Sequence, residues 1–205
     1  MIVKVCGMRE PDNIRDVEKL HPDMMGFICW NKSPRFVQAV PSYMPQCHKV
    51  CVFVNPTIDY ALQTADSFKA DYLQLHGSET PEFCHKLKQT IGLKIIKAIS
   101  VSSATDIEKS KEYQSVADLL LFDTRCASVG GSGVKFDWSI LESYIGTTPF
   151  LLSGGIAPDD AKSISFIKHP MFAGVDLNSR FESAPAVKDV LKLKEFITEI
   201  RYEQD

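Results

Sequence analysis

The chain has 205 residues, 44% hydrophobic and 24% charged, with a net charge of −3. That is enough chain for one domain with a substantial core, and the charge balance excludes a protein drawn to nucleic acid or an anionic membrane by global attraction. No run approaches the about 18 apolar residues of a membrane span, and the N-terminus reads as a strand rather than a signal peptide, so a cytoplasmic protein without nucleic-acid or membrane partners is expected.

In chain order, residues 2–6 (IVKVC) form a β-branched, apolar run that ends in a thiol and stops at Gly7. Pro11 then opens a helix over 12–20. A second strand is expected at 24–29, a helix over 37–44 and a third strand at 49–54. The helix over 57–68 has Ile58, Ala61, Leu62 and Ala65 on one face and Thr57 as its N-cap. A strand at 71–75 follows, then a helix over 79–89 that carries Thr80-Pro81, a cap followed by proline in the first turn. Strands are expected at 93–99, 118–123, 149–153 and 172–177. The helices between them are expected over 104–113, over 137–144 and from Pro158, and a last helix over 188–201 closes the chain with Val190, Leu191, Leu193, Phe196 and Ile197.

Eight strands alternating with helical segments imply parallel pairing through right-handed crossovers. An open sheet of that size would leave edges, and Gly7 stands alone where a dinucleotide-binding sheet has G-x-G-x-x-G. The reading is therefore an α/β protein, a compact single-domain (β/α)8 TIM barrel over residues 1–205, shorter than the usual about 250 residues. Its six cysteines are scattered and contain no CxxC pair. Cys47 and Cys51 flank His48 with no second ligand cluster, which points to reduced thiols and no metal.

Catalytic groups of such barrels sit where strands end. Those positions here include Cys6, His76, Asp123, Ser153 and Asp176. Ser153-Gly154-Gly155 just before a helix lets backbone N–H groups approach an anion. Asn178, Ser179 and Arg180 follow the eighth strand, the other place where barrels hold phosphate. The run Gly130-Gly131-Ser132-Gly133 after the sixth strand reads as a flap or as a plain connector. Arg35, past the second strand, is placed to meet a second anionic group.

Taken together, several stretches resemble the phosphoribosylanthranilate isomerases of tryptophan biosynthesis. They are Lys4-Val5-Cys6-Gly7-Met8, Gly26-Phe27 through Ser33-Pro34-Arg35, Val52-Phe53-Val54-Asn55 and Leu73-Gln74-Leu75-His76-Gly77. Phe122-Asp123-Thr124, the glycine run with Phe136-Asp137-Trp138, Leu152-Ser153-Gly154-Gly155-Ile156 and Val175-Asp176 complete the ordered set. The resemblance implies an Amadori rearrangement of N-(5'-phosphoribosyl)anthranilate without cofactor or metal, by a monomer or homodimer. It makes Asp123 the general acid at the furanose ring oxygen and Cys6 the general base at C2'. It assigns Arg35 to the anthranilate carboxylate, and His76 and Asp176 to substrate binding. Gly131, Ser153, Gly154, Gly155, Asn178, Ser179 and Arg180 are then expected around the phosphate.

Such roles require Asp123 protonated and Cys6 as a thiolate near neutral pH, with Lys4 on the same strand face as one cause of a lowered thiol pKa. Two departures stand out. Arg180 occupies the place of a glycine in the family's Asp-x-Ser-Ser-Gly-x-Glu, and Ala186 the glycine of its Pro-Gly-x-Lys-Asp. Arg180 is thus either strained at φ > 0 or a further phosphate contact. Competing readings are another phosphosugar barrel enzyme (an indole-glycerol-phosphate synthase or a ribulose-phosphate epimerase) and a non-catalytic phosphate-binding barrel. The last would need neither Cys6 nor Asp123.

Overall fold

A computed structural model describes residues 1–124 and 137–202. Eight parallel strands close on themselves in chain order: β1 (Ile2–Cys6), β2 (Met24–Ile28), β3 (His48–Phe53), β4 (Tyr72–Leu75), β5 (Lys94–Val101), β6 (Leu119–Thr124), β7 (Phe150–Leu152) and β8 (Phe172–Leu177). β8 pairs with β1, Lys4 lying opposite Asp176, and β1 pairs with β2, Cys6 lying opposite Gly26. The expected barrel is therefore present.

Alternation along each strand divides the interior in two. Val3 and Val5, Leu73 and Leu75, Leu120 and Phe122 face outward into the shell beneath the helices. Cys6, Val50, Val52, Tyr72, Ile96, Leu121 and Leu151 fill the barrel itself. Buried polar side chains stand among those inner residues: Lys4, Gln74 and Asp176.

The helices follow their local signals closely in the first half. α1 (Pro11–Glu18) begins on Pro11, whose missing N–H costs nothing in a first turn. In α2 (Ile58–Phe68) Thr57 Oγ1 accepts from Tyr60 N–H at 3.2 Å, and in α3 (Pro81–Ile91) Thr80 Oγ1 accepts from Phe83 N–H at 3.3 Å. α4 (Ala104–Glu108) continues as a 3-10 turn over Lys109–Tyr113.

Elsewhere the structure corrects the reading. No helix forms over 37–44; the segment after β2 makes a single bridge between Ile28 and Phe36 and then irregular turns. Pro41 and Pro45 explain this, since each removes an N–H donor and disfavours helical dihedrals in the residue before it. The segment at 137–144 is a 3-10 helix over Trp138–Ser143, capped by Asp137 Oδ1 accepting from Ser139 N–H at 3.0 Å. α5 (Ala161–Ser165) is one short turn after a 3-10 start at Pro158–Asp160.

A small antiparallel hairpin, β9 (Glu182–Ala184) and β10 (Val187–Lys188), was not anticipated. It lies between β8 and α6 (Val190–Tyr202), the closing helix that packs against α1 and α5. Ala186 turns this hairpin at φ 67, a conformation that costs a residue with a Cβ about 1 kcal/mol or more. Its N–H donates to Glu182 Oε1 at 3.1 Å, which helps hold it there.

Candidate active site

The C-terminal ends of the strands surround a cavity. β1 brings Cys6 to it, the loop after β2 Arg35, β4 Gln74 and His76, and β6 Asp123. Ser153, Gly154 and Gly155 arrive after β7, and Asp176, Asn178 and Ser179 from β8 and its end. Ile28, Val52, Val54 and Ile156 supply an apolar wall. Strands β1 and β6 stand three places apart in the ring of eight, so Cys6 and Asp123 approach the cavity from nearly opposite sides.

Cys6 is 4% exposed. The close packing around it explains why β2 carries a glycine beside it: a Cβ on Gly26 would lie 2.8 Å from Cys6 Sγ and 3.2 Å from Lys4 Nζ. Lys4 is fully buried, and its Nζ meets Asp176 Oδ1 at 2.8 Å. The expectation of a lowered thiol pKa is not met. Burial pushes the Cys6 thiol up, and although the Lys4 ammonium and, less strongly, Lys188 oppose it, burial wins. The lysine named from the sequence acts in the expected direction and is outweighed.

Arg35 is tied to the hairpin. Its Nε donates to Glu182 Oε1 at 2.9 Å, and its Nη2 to Glu182 Oε2 at 2.7 Å. Lys188 Nζ donates to the same carboxylate at 2.7 Å and to Asn178 Oδ1 at 2.7 Å. Burial alone would raise the Glu182 carboxyl; Arg35 and Lys188 outweigh it and hold it below the usual carboxylate range. A guanidinium has five N–H donors, so the edge of Arg35 turned away from Glu182 retains the fork that grips a second carboxylate.

His76 Nε2 lies 3.1 Å from Asp123 Oδ2, and His76 Nδ1 lies 3.0 Å from Gln74 Nε2. Both partners of this histidine are side chains. After β7 the two glycines take φ 86 and 71, and a Cβ on Gly154 would run into the backbone N and Oγ1 of Thr124. Only glycine fits that turn.

Of the residues singled out in the sequence, Cys6, Arg35, His76, Asp123, Ser153, Gly154, Gly155, Asp176, Asn178 and Ser179 come together around this one cavity. Arg180 does not join them. On the 3-10 turn Ser179–Phe181, Ser179 lines the cavity, Phe181 is buried and Arg180 is exposed. It is not among the positive-φ residues, so the arginine in the family's glycine position is unstrained. Gly131 lies outside the described residues. Sequence reasoning missed Gln74, Glu182 and Lys188. Gln74 had a readable signal, a polar residue two places before His76 on the same inward face; Glu182 and Lys188 fall on the Glu and Lys of the two family patterns after β8, which marked the positions but not the hairpin that brings them to Arg35.

A thiol and a carboxyl facing each other across the mouth of a closed parallel barrel are the construction of an acid–base enzyme rather than of a passive binding module. Comparison with known proteins narrows that class. The family model described as N-(5'phosphoribosyl)anthranilate (PRA) isomerase matches residues 3–199, and the chain belongs to this family. The N-(5'-phosphoribosyl)anthranilate isomerase of Parabacteroides distasonis is 52% identical over 207 residues, spanning 98% of this chain and 93% of that protein. The crystal structure of phosphoribosyl anthranilate isomerase from Thermotoga maritima aligns with a TM-score of 0.84 at 29% identity, over 98% of this chain and all of that one (100%). Another structure of such an isomerase holds reduced 1-(o-carboxyphenylamino)-1-deoxyribulose 5-phosphate. It aligns with a TM-score of 0.80 at 27% identity, over 98% of this chain and 100% of that chain.

Proposed function

We propose that this chain is a cytoplasmic enzyme of tryptophan biosynthesis that isomerises N-(5'-phosphoribosyl)anthranilate to 1-(2-carboxyphenylamino)-1-deoxyribulose 5-phosphate by acid–base catalysis. The observation that carries the reading is the placement of Cys6 and Asp123 on opposite sides of one cavity that also holds Arg35 and the Gly154-Gly155 turn. Among the described residues no helix is long and apolar enough to cross a membrane.

Asp123 gives its proton to the furanose ring oxygen. The C1'–O bond breaks, and the lone pair of the anilino nitrogen forms a C1'=N iminium. Cys6, as thiolate, then takes the C2' proton, and the released electron pair forms the enolamine, which tautomerises to the ketone. Electrons stay within the substrate, so no oxidant or reductant enters. Because burial favours the neutral thiol, Lys4 and Lys188 serve to keep the thiolate within reach.

The remaining groups bind. The free fork of Arg35 takes the anthranilate carboxylate, and the aromatic ring lies against the apolar wall of Ile28, Val52 and Val54. His76 and Asp176 meet the sugar, and Ser153, Gly154, Gly155, Asn178 and Ser179 surround the phosphate. Gly131 belongs to the same phosphate group on the strength of the resemblance. Arg180 is outside the described cavity lining, so Arg180→Gly is expected to leave KM unchanged.

The test is the fluorescence decay of freshly made phosphoribosylanthranilate with purified protein. Turnover is expected, and Cys6→Ser and Asp123→Asn should each lower kcat at least about 100-fold, the usual weight of a general acid or base. A folded sample without turnover refutes the reaction; a variant with near-normal kcat refutes that residue's role.

A further inference from the structure

β4 sends Gln74 into the barrel, where it is fully buried and lines the cavity beside His76 and Asp123. Its Nε2 faces His76 Nδ1 at 3.0 Å, and His76 Nε2 faces Asp123 Oδ2 at 3.1 Å. The three side chains make one relay of two hydrogen bonds. Its inner end is incomplete, because Gln74 Oε1 is buried without a hydrogen-bond partner among the described residues. An orphaned buried carbonyl is costly, and a leucine or methionine of similar volume would fill the position without that cost. What an amide has and those residues lack is a donor and an acceptor exchanged by a half-turn.

The proton count at His76 shows what the half-turn is for. With Asp123 ionised and His76 neutral, Nε2–H donates to the carboxylate. Nδ1 then presents a lone pair, which Gln74 Nε2–H satisfies. Add one proton to the pair on the Asp123 oxygen that faces Nε2, or on the ring as imidazolium, and Nδ1 carries a hydrogen that needs an acceptor. A turned Gln74 supplies Oε1.

We propose that Gln74 is a positioning residue whose amide turns with each gain and loss of the proton held between His76 and Asp123, keeping that proton available in every turnover. The proposal rests on the reading of Asp123 as the general acid. Among the described residues, β3 presents Val52 and the end of β7 Ser153 to the cavity, and neither is charged. The charged and titratable groups facing it are Asp176 from β8, which is paired with Lys4, Cys6 from β1, and Arg35.

The experiment is a pH titration of 15N-histidine-labelled protein by NMR, with the His76 signals assigned by their loss in His76→Asn. At alkaline pH the wild type should show His76 with its proton on Nε2. Gln74→Glu is nearly isosteric and offers only acceptors, so it should favour the proton-loaded pair. Its His76 titration and the alkaline limb of its kcat profile should both move up by about one pH unit, a tenfold change in proton affinity. Gln74→Met removes both partners and should lower kcat about tenfold while KM holds. A wild-type His76 protonated on Nδ1 at alkaline pH, or a Gln74→Glu titration and limb that do not move, overturns the proposal. The NMR titration needs no substrate. An Asp123→Asn enzyme with undiminished kcat therefore refutes the acid assignment separately from the tautomer coupling.

Discussion

Replacing Lys4 with methionine tests how the barrel holds charge at its centre. Lys4 is 0% exposed and Asp176 5%, with 2.8 Å between Nζ and Oδ1. Burial pulls the Lys4 pKa down; Asp176 and then Cys6 outweigh it, so the ammonium is held above its ordinary value. Methionine keeps most of the apolar stem, so the packing loss is small, but it strands the buried Asp176 carboxylate without its ammonium partner. Breaking one half of a buried pair costs about 3–5 kcal/mol, whereas replacing both halves with apolar residues is often neutral. Urea unfolding should therefore place Lys4→Met about 3–5 kcal/mol below the wild type and Lys4→Met/Asp176→Leu within about 1 kcal/mol of it. The same charge is the strongest influence drawing the Cys6 thiol down. Alkylation of Cys6, followed by peptide mass spectrometry, should thus titrate at higher pH in Lys4→Met than in the wild type. A single variant that loses under about 1 kcal/mol, or single and double variants that simply add, would mean that the pair is not ionised and would refute this account.

Gly26→Ala should displace the Cys6 thiol, because the new Cβ would lie 2.8 Å from Sγ. We expect kcat to fall about 10- to 100-fold with KM nearly constant, and an unchanged kcat would show that the thiol's position does not matter. Gly154→Ala meets a positive φ and the Thr124 backbone together. It should lower stability by about 2–3 kcal/mol and raise KM at least tenfold, read by thermal unfolding and initial rates. Glu182 is an acid held below its ordinary value of 4.5 in the folded chain. Its contribution is therefore complete above about pH 4.5 and lost as pH falls through the lower folded value. Glu182→Gln should cost about 3 kcal/mol at pH 7, and the gap to the wild type should close as the buffer is acidified below pH 4.5; a gap independent of pH refutes the ionic hold on Arg35 and Lys188.

The barrel was legible because each of its strands is a short apolar run whose environment is fixed on both faces. Where a single local signal governed, the reading was also correct: Thr57 and Thr80 cap the helices their positions announce. It went wrong where two signals conflicted. Residues 37–44 have the composition of a helix, but Pro41 lies inside the span and Pro45 directly after it, and the prolines win. The hairpin around Ala186 was illegible for a different reason. Two strands of two or three residues carry no periodicity, and the turn that joins them uses an alanine where a glycine would have announced it.

The site divides along the same line. Cys6, His76, Asp123 and Asp176 were found because a strand's end fixes where its side chain goes. The state of the Cys6 thiol was not, because it depends on neighbours distant in sequence. Lys4 is 172 residues from Asp176, and Arg35 is 147 residues from Glu182. Lys4 illustrates the difference. From the sequence it was a cation two residues from a thiol, reason enough to expect a low thiol pKa. In the fold it is shared with a carboxylate and sealed from water together with the thiol. Its charge also acts on Asp176, and the burial that seals it is the burial that raises Cys6. On the proposed mechanism, a mouth that excludes water to protect an iminium cannot also solvate a thiolate, so the cations that support Cys6 are built into the barrel, where closure of β8 onto β1 and the hairpin beyond it bring Lys4 and Lys188.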